Sequence, residues 1–383
     1  MSILWIGVLA LPPVADTAIR GIRAVAARRY QPAPGRPGGE LRWLVLIPSH
    51  AEGDALIPTL RSVAAAAGAV AVQTIAVLDG PDAAAEAACQ ALGIEARTKE
   101  PAGPSKGAAL AWAAEHLAAE LAEVDAVLLL DVGSTVAPGF FSRFAWPAGA
   151  AGVQAVLAGH GEGAGAAAAY AERSAQQWDD RGREVLGWAV RLRGTGTVLT
   201  PEAFREVAHR LRTRVEDHEA TLLLASENMR TVLGHPDAVV RDEKPASVGN
   251  AARQRARWLA GRYEILLRQP RAVVRLIRRR PVEGAAFVVE ILSRPFSLTA
   301  LLRFAVVAVL VAAAWRTGSV GAWAMAGAVL ASVAADAALI FRSGSVPWPG
   351  IVRLVLAWLG ALPLLPRAVS RWLGARRRKG ASS

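Results

Sequence analysis

Between residue 41 and about residue 261, apolar and polar positions alternate in blocks of two kinds. Short runs of branched aliphatic residues at 44–47, 75–78 and 127–130 have the length of buried strands. Each is followed by an Ala-rich stretch of helical length, around 54–67, 81–92 and 106–122. This alternation predicts βαβ units and a mainly parallel sheet, an α/β fold. Ligands of such sheets lie beyond the carboxyl ends of the strands. Asp79, Asp131 and the turn Pro48-Ser49-His50 all stand at those ends. The Gly run at 161–165, continued by Ala166 to Ala169, reads as a flexible join, since it lacks the Gly-Lys-Ser/Thr ending of a phosphate loop.

Outside this region the pattern changes. Residues 1–19 are apolar but contain Pro12, Pro13 and Asp16, and they meet Arg20, Arg23, Arg28 and Arg29. Charge placed after the apolar stretch argues against a cleaved signal peptide. Two readings stay open: an uncleaved anchor that starts outside, or a helix lying on the membrane surface. Pro32, Pro34, Pro37, Gly35, Gly38 and Gly39 then mark a linker. The expected division is an anchor and linker at 1–40 and an α/β domain at 41–264. Residues 265–296 form basic interfacial helices, because Leu266, Leu267, Val273, Val274, Leu276 and Ile277 interleave with Arg268, Arg271, Arg275 and Arg278 to Arg280.

The last segment, 297–383, holds three candidate spans. They are 298–315 with Arg303 placed to snorkel, 320–341 with Asp336, and 351–365 with Arg353 and the breaks Pro363 and Pro366. An initial anchor plus three spans would leave Arg376-Arg377-Arg378-Lys379 outside, against the preference for basic residues in the cytoplasm. One segment, 351–366 or the first anchor, is therefore expected to be interfacial or re-entrant.

Composition narrows the partners. The 383 residues are 53% hydrophobic and carry a net charge of +12, yet only four of the 44 basic residues are lysine. The arginines crowd beside apolar segments, which suits an anionic membrane surface and not a nucleic acid. The single Cys89 rules out an intramolecular disulfide and a Cys-based zinc site. The six histidines show no metal-ligand spacing.

Candidate chemistry lies in two places. In Gln254-Arg255-Ala256-Arg257-Trp258, residues 254, 257 and 258 share one helical face. That face offers an amide, a guanidinium and an indole, groups suited to a diphosphate and a sugar ring. Upstream, Glu216 and Asp217 supply carboxylates for a general base. With Glu219 they also form a good helix N-terminus.

With these residues in order, the chain resembles the family 2 inverting glycosyltransferases over about residues 44–262. Within that family it is similar to the membrane-bound branch of cellulose, chitin and hyaluronan synthases and ceramide glucosyltransferases. The resemblance implies a GT-A-type, Rossmann-like nucleotide-sugar-binding domain with C-terminal transmembrane and interfacial helices. Pro48 and Glu52 match the nucleotide-binding turn, although Ala51 stands where the family usually has Asn. Asp79 matches the residue that meets the base, and Lys106, before Gly107, the lysine that approaches the donor. Asp131-Val132-Gly133 occupies the place of the D-x-D metal motif, with Gly133 replacing the second carboxylate. Some ceramide glucosyltransferases look like D-x-G there, so Asp131 remains the expected ligand of a divalent cation, Mg2+ or Mn2+.

Gly194-Thr195-Gly196 resembles the segment before the acceptor site, and Val215-Glu216-Asp217 the T-E-D motif, with Asp217 as base and Glu216 beside the acceptor. Gln254 and Arg257 match groups that touch the donor diphosphate or the acceptor, and Trp258 the floor under the acceptor. The implied activity is transfer of a sugar from an NDP-sugar, of the UDP type, to a lipid head group or growing polysaccharide. It would work at the cytoplasmic face of a bacterial-type inner membrane, in a multi-pass protein. Gly133 keeps one alternative open, a non-catalytic membrane scaffold descended from such enzymes.

Overall fold

The computed structural model describes residues 3–293, 296–342, 348–361 and 363. The chain forms two compact units. One comprises Arg29–His160 and Arg183–Glu243; the other comprises Met1–Arg28, Gly161–Gly182 and Lys244–Ser383.

The first unit is built on a seven-stranded sheet. Its strands are β1 (Trp43–Ser49), β2 (Val72–Asp79), β3 (Glu95–Lys99), β4 (Ala126–Leu129), β5 (Ala150–Gln154), β6 (Thr197–Leu199) and β7 (Arg230–Leu233). Their order across the sheet is β7-β5-β6-β4-β1-β2-β3. β1 is buried along nearly its whole length, as a strand covered on both faces must be, which explains its unbroken aliphatic run. The chain winds outward through β2 and β3, then returns to place β4 on the other side of β1. The winding direction thus reverses between β1 and β4, and a crevice opens beyond their carboxyl ends.

Helices Ile57–Ala67, Ala83–Ala91 and Lys106–His116 make the crossovers. Two begin at side-chain caps: Asp82 accepts from the Ala85 amide and Ser105 from the Ala108 amide. At the far end of the sheet, Trp43 anchors β1. Its indole packs edge-on to Phe141 and Phe144 with ring centroids 5.1 and 4.9 Å away, and its Nε1 donates to the Gly38 carbonyl. Aromatic pairs of this kind contribute about 0.5–1.5 kcal/mol each beyond area burial.

Three differences from the sequence reading matter. β6 runs antiparallel to both β4 and β5. Its beginning, not its end, therefore lies at the ligand edge, and the loop 193–196 that enters it meets the residues leaving β4. The Pro- and Gly-rich stretch expected as a linker is ordered: Gly35–Pro37 pairs with Ala145–Pro147. A Cβ on Gly35 would come within 2.2 Å of the Trp146 carbonyl oxygen, so the pairing demands glycine. The join expected at 161–169 is instead the start of helix Ala164–Ser174, in which Ala164, Gly165 and Ala167 are buried. Alanine and glycine there allow close packing; a Cβ on Gly165 would stand 2.6 Å from the Lys244 carbonyl oxygen.

The second unit is helical. Helix Ile3–Ala26 continues through Pro12 and Pro13. Helices Phe296–Thr317 and Val320–Ile340 contain segments long and apolar enough to cross a membrane, the only two such among the described residues. Arg303 does not snorkel. It is 1% exposed, and its Nη2 donates to Asp336 Oδ2 at 2.8 Å while its Nη1 donates to Thr17 and Ser332. Asp336 also accepts from Thr17 Oγ1 at 2.9 Å and from Arg20 Nη1 at 2.6 Å. Three helices are thereby tied through one buried carboxylate.

The basic stretch after residue 264 divides at Pro270. Its first turn extends helix Val248–Arg268, and helices Pro270–Arg279 and Pro281–Ser293 follow. Of the third candidate span, helix Trp348–Ala361 has 14 residues, about 21 Å of rise against a hydrocarbon core of about 30 Å. The tail from Arg376 to Lys379 lies outside the described residues.

Candidate active site

Three elements bring charged groups to the crevice beyond β1 and β4. Asp131 follows β4 by two residues, and its own amide donates to Thr195 Oγ1 at 3.2 Å. Lys106 opens its helix, and its ammonium contacts Asp131 Oδ1 and lies 3.3 Å from Glu216 Oε1. Glu216 and Asp217 form the first turn of helix Glu216–Ser226. That turn is fixed from below by Glu219, which is fully buried and accepts from the amides of Arg212 and Thr213.

The two glycines of the 194–196 loop do different things. Gly194 has φ +79°, and a Cβ there would meet Asp131 Oδ2 at 3.5 Å, Lys106 Nζ at 3.6 Å and Glu216 Oε1 at 3.8 Å. Its missing side chain leaves the charged cluster open. Gly196 faces the core, where a Cβ would press on Leu157 and Val240 at 3.1 and 3.2 Å. Thr195, 2% exposed, braces Asp131 from beneath. Only Gly194 of this trio therefore presents open backbone beside the carboxylates. Gln154 holds the loop in place: it is fully buried, donates to the carbonyls of Thr195 and Gly196, and accepts from the Arg193 amide. Nothing in the sequence marked it, because an isolated glutamine on a strand has no motif.

The nucleotide side of the crevice is equally constrained. Pro48 lies in β1 next to Ser49, and the turn beyond holds Ala51 at φ +54°, a left-handed conformation that Asn tolerates better than Ala. This gives a physical reason for Asn at that place. Asp82 stabilises the turn by accepting from the Gly53 amide at 2.9 Å. Asp79 is nearly buried; its Oδ1 accepts from the Gly103 amide at 2.7 Å and lies 3.1 Å from Lys99 Nζ. Lys99 and Gly103 were not singled out from the sequence, since their link to Asp79 exists only across the β2–β3 pairing.

The charges push one another in opposite directions. Burial raises the Glu216 carboxyl above its ordinary value, and the negative Asp217 and Asp131 add to this against Lys106. Burial also works against ionised Asp217, but the hydrogen bonds and charge of His218 outweigh it and hold that carboxyl low, at about 2. His218 supplies its amide at 2.8 Å and its Nδ1 at 3.4 Å. For Lys106, burial opposes the ammonium, yet the Asp131 and Glu216 carboxylates prevail and its pKa is raised. Glu52 is raised by desolvation and by the charge of Asp131. Behind the cluster, Leu110, Leu192, Phe204 and Leu211 line an apolar recess that reaches Lys106, Glu216 and Asp217.

Among the described residues, no group of three His, Cys, Asp or Glu side chains is placed to cage a metal ion. Gly133 has φ +86° and contributes no ligand. Asp131 nonetheless turns Oδ2 toward Gly194 and is 45% exposed, and one carboxylate with substrate phosphates and water is a normal donor set for Mg2+. The residues present fit an ion that arrives with a diphosphate.

In the second unit, Gln254, Arg257 and Trp258 fall on one face of helix Val248–Arg268. Gln254 and Trp258 are half-buried and Arg257 is exposed. Arg255, an unassigned position of the pentapeptide, is buried, and that burial lowers its guanidinium to about 10.

A family model described as glycosyltransferase like family 2 matches residues 42–261, more than half of the chain. No curated protein matches. Among solved structures, the mannosyltransferase from Pyrobaculum calidifontis in complex with GDP-Man and Mn2+ is similar, with a TM-score of 0.56 and 16% identity over 93% of this chain and 98% of that one. Glucosyl-3-phosphoglycerate synthase from Mycobacterium tuberculosis gives a TM-score of 0.40 and 17% identity over 63% of this chain and 88% of that one. Mannosyl-3-phosphoglycerate synthase from Rubrobacter xylanophilus gives 0.40 and 13% over 67% and 84%. Likeness at such identity speaks for the fold, and the first of the three carries it. By the match across its α/β region and the crevice built there, the chain belongs to the family 2-like glycosyltransferases, enzymes of GT-A-like fold that use nucleotide sugars.

Proposed function

We propose that this protein is a membrane-bound, inverting glycosyltransferase that moves a sugar from a UDP-type donor to a lipid head group or a growing polysaccharide. One observation carries the reading. Lys106, Asp131, Gly194, Glu216 and Asp217, drawn from four chain segments, converge where a parallel sheet reverses its winding.

The donor's nucleoside lies along the turn of Pro48 and Glu52 and against Asp79. Its diphosphate faces Lys106, at a helix N-terminus that favours anions. Asp217, ionised at neutral pH, takes the proton of the acceptor hydroxyl. As that oxygen bonds to the anomeric carbon, the bond from the carbon to the diphosphate oxygen breaks, and the configuration inverts. Lys106 stabilises the charge on the departing nucleoside diphosphate. A divalent ion held at Asp131 supplies further positive charge for that diphosphate when bound. Gly194 and Glu216 border the acceptor. Gln254 and Arg257 keep the roles of the family signature toward diphosphate, and Trp258 its role toward the acceptor.

The membrane reading rests on the helical unit. Arg20 lies near the end of its helix, Arg303 near the start of the next and Asp336 near the end of the third, so all three share one level. A chain starting outside, with the turn at Gly318 and Ser319 also outside, brings the arginines and the catalytic unit to the cytoplasmic side. Exposed Val274, Ile277 and Val282, interleaved with arginines, suit an anionic inner leaflet.

Incubating membranes that contain the protein with radiolabelled UDP- and GDP-sugars tests the function. Label is expected in the lipid extract or in an insoluble polymer. If Asp217→Asn membranes incorporate as much label as wild type, the assignment of the base is wrong.

A further inference from the structure

The D-x-D position of this chain supplies one carboxylate, Asp131, since Gly133 has no side chain and holds a left-handed backbone. That carboxylate already has a cation. The Lys106 ammonium contacts its Oδ1 and reaches Glu216 Oε1 at 3.3 Å, so one lysine bridges the two acids beside Gly194. A divalent ion coming alone would meet this ammonium on the same carboxylate. It would either be repelled or push the ammonium back onto Glu216, its remaining close counter-charge in a half-buried place, a costly exchange.

A nucleoside diphosphate changes the exchange. Lys106 is the first residue of its helix, on a flexible four-carbon stem, and a diphosphate at that helix N-terminus offers the ammonium new anionic oxygens. Asp131 would then be free to hold a divalent ion, and phosphate oxygens would make up for the carboxylate that Gly133 lacks.

We propose that Lys106 is a resident counter-ion that a nucleoside diphosphate draws off Asp131, so that the metal is admitted only together with the nucleotide. This rests on the nucleotide-sugar reading of the site. Lys106 thereby acts as a positioning residue for the metal, in addition to its contact with the donor.

Mn2+ binding to the full-length protein in detergent tests the idea, read from the electron paramagnetic resonance signal of the free aqua ion, with a protein-free nucleotide control. Wild type without nucleotide should bind Mn2+ at least about tenfold more weakly than with UDP or GDP present, a coupling of ordinary size. Lys106→Met should bind Mn2+ without nucleotide about tenfold more tightly than wild type, and Asp131→Asn in that background should abolish the gain. Lys106→Arg, which keeps the positive charge, should not show the tighter Mn2+ binding of Lys106→Met in the absence of nucleotide. Equal Mn2+ affinity of wild type with and without nucleotide overturns the proposal, and needs no variant to fold. So does a Lys106→Met protein that binds UDP yet gains no Mn2+ affinity. Sugar transfer is scored separately. Transfer without metal–nucleotide coupling sinks this inference alone; coupling without transfer to any acceptor sinks the transfer reading alone.

Discussion

Each unit of the molecule holds a cluster of basic and acidic side chains, and the two are assembled differently. Around Asp336 the acid is shared among Arg20, Arg303 and Thr17, and both Arg303 and Asp336 are almost fully shielded from water. Around Asp131, a single lysine faces Asp131 and Glu216, with Asp217 adjoining; the Asp131 carboxylate stays open to solvent while the other groups are partly buried. The first cluster is saturated and dry, as a clamp between helices should be. The second has an excess of negative charge and an open face, which the proposed function assigns to a cation and a diphosphate. The same chemical groups hold helices together in one place and, in the proposed function, take ligands in the other; saturation separates the two.

Substitutions can break this contrast, and the largest effect is expected at the open cluster. Asp217→Asn should lower transfer by about 10²–10⁴-fold, the usual contribution of a positioned base. Nucleotide affinity, read by calorimetry, should stay within about threefold of wild type, since the proposed role of Asp217 is toward the acceptor. A parallel loss of nucleotide binding would place Asp217 in the donor site instead.

Next comes Asp336→Ala, which leaves Arg303 buried without its acid and should lower stability by about 3–5 kcal/mol. Thermal unfolding in detergent reads the change. Replacing Arg303 and Asp336 together by leucine should cost less than Asp336→Ala alone, because the fully buried Arg303 charge is then not stranded. By contrast Asp131→Ala, in the solvated cluster, should alter stability by less than about 1 kcal/mol. If Asp131→Ala destabilises as strongly as Asp336→Ala, the division between site and clamp fails.

A smaller effect is expected at His218. Its hydrogen bonds and charge hold the Asp217 carboxyl low. Exchanging the imidazole for the uncharged amide of His218→Gln should let that carboxyl rise, so the acid limb of the kcat/KM profile moves to higher pH. An unmoved limb would mean that another group governs it. The smallest effect belongs to Ala51→Asn. Relief of the left-handed backbone should add about 0.5–1 kcal/mol of stability, read as a higher melting temperature, with the sheet unchanged.

How much was legible beforehand differed by residue. Strands β1, β2 and β4 could be read within a few positions, because a strand buried on both faces needs an unbroken apolar run. β6 could not: three residues at Thr197–Leu199 are too few to show a period, and their direction depends on the strands already in place. Asp79, Lys106, Asp131 and Asp217 were visible as motif members in the right order. Gln154, Lys99 and Gly103 were not, for each acts on a residue distant in the chain. The 161–169 stretch was misread because glycine and alanine signal flexibility by composition, whereas packing against Lys244 turned them into a tight contact.

By itself, the amino-acid order determined what depends on near neighbours: the aliphatic runs of the strands, the Asp82 and Ser105 caps, the basic and apolar segments, and the succession of family motifs. The tertiary structure alone decided which charges share a space. Lys106 meets Asp131 across 25 positions and Arg20 meets Asp336 across 316. Period and capping are settled within a turn or two of chain. Whether an ion pair is dry and complete, or wet and waiting, depends on what the rest of the fold packs around it.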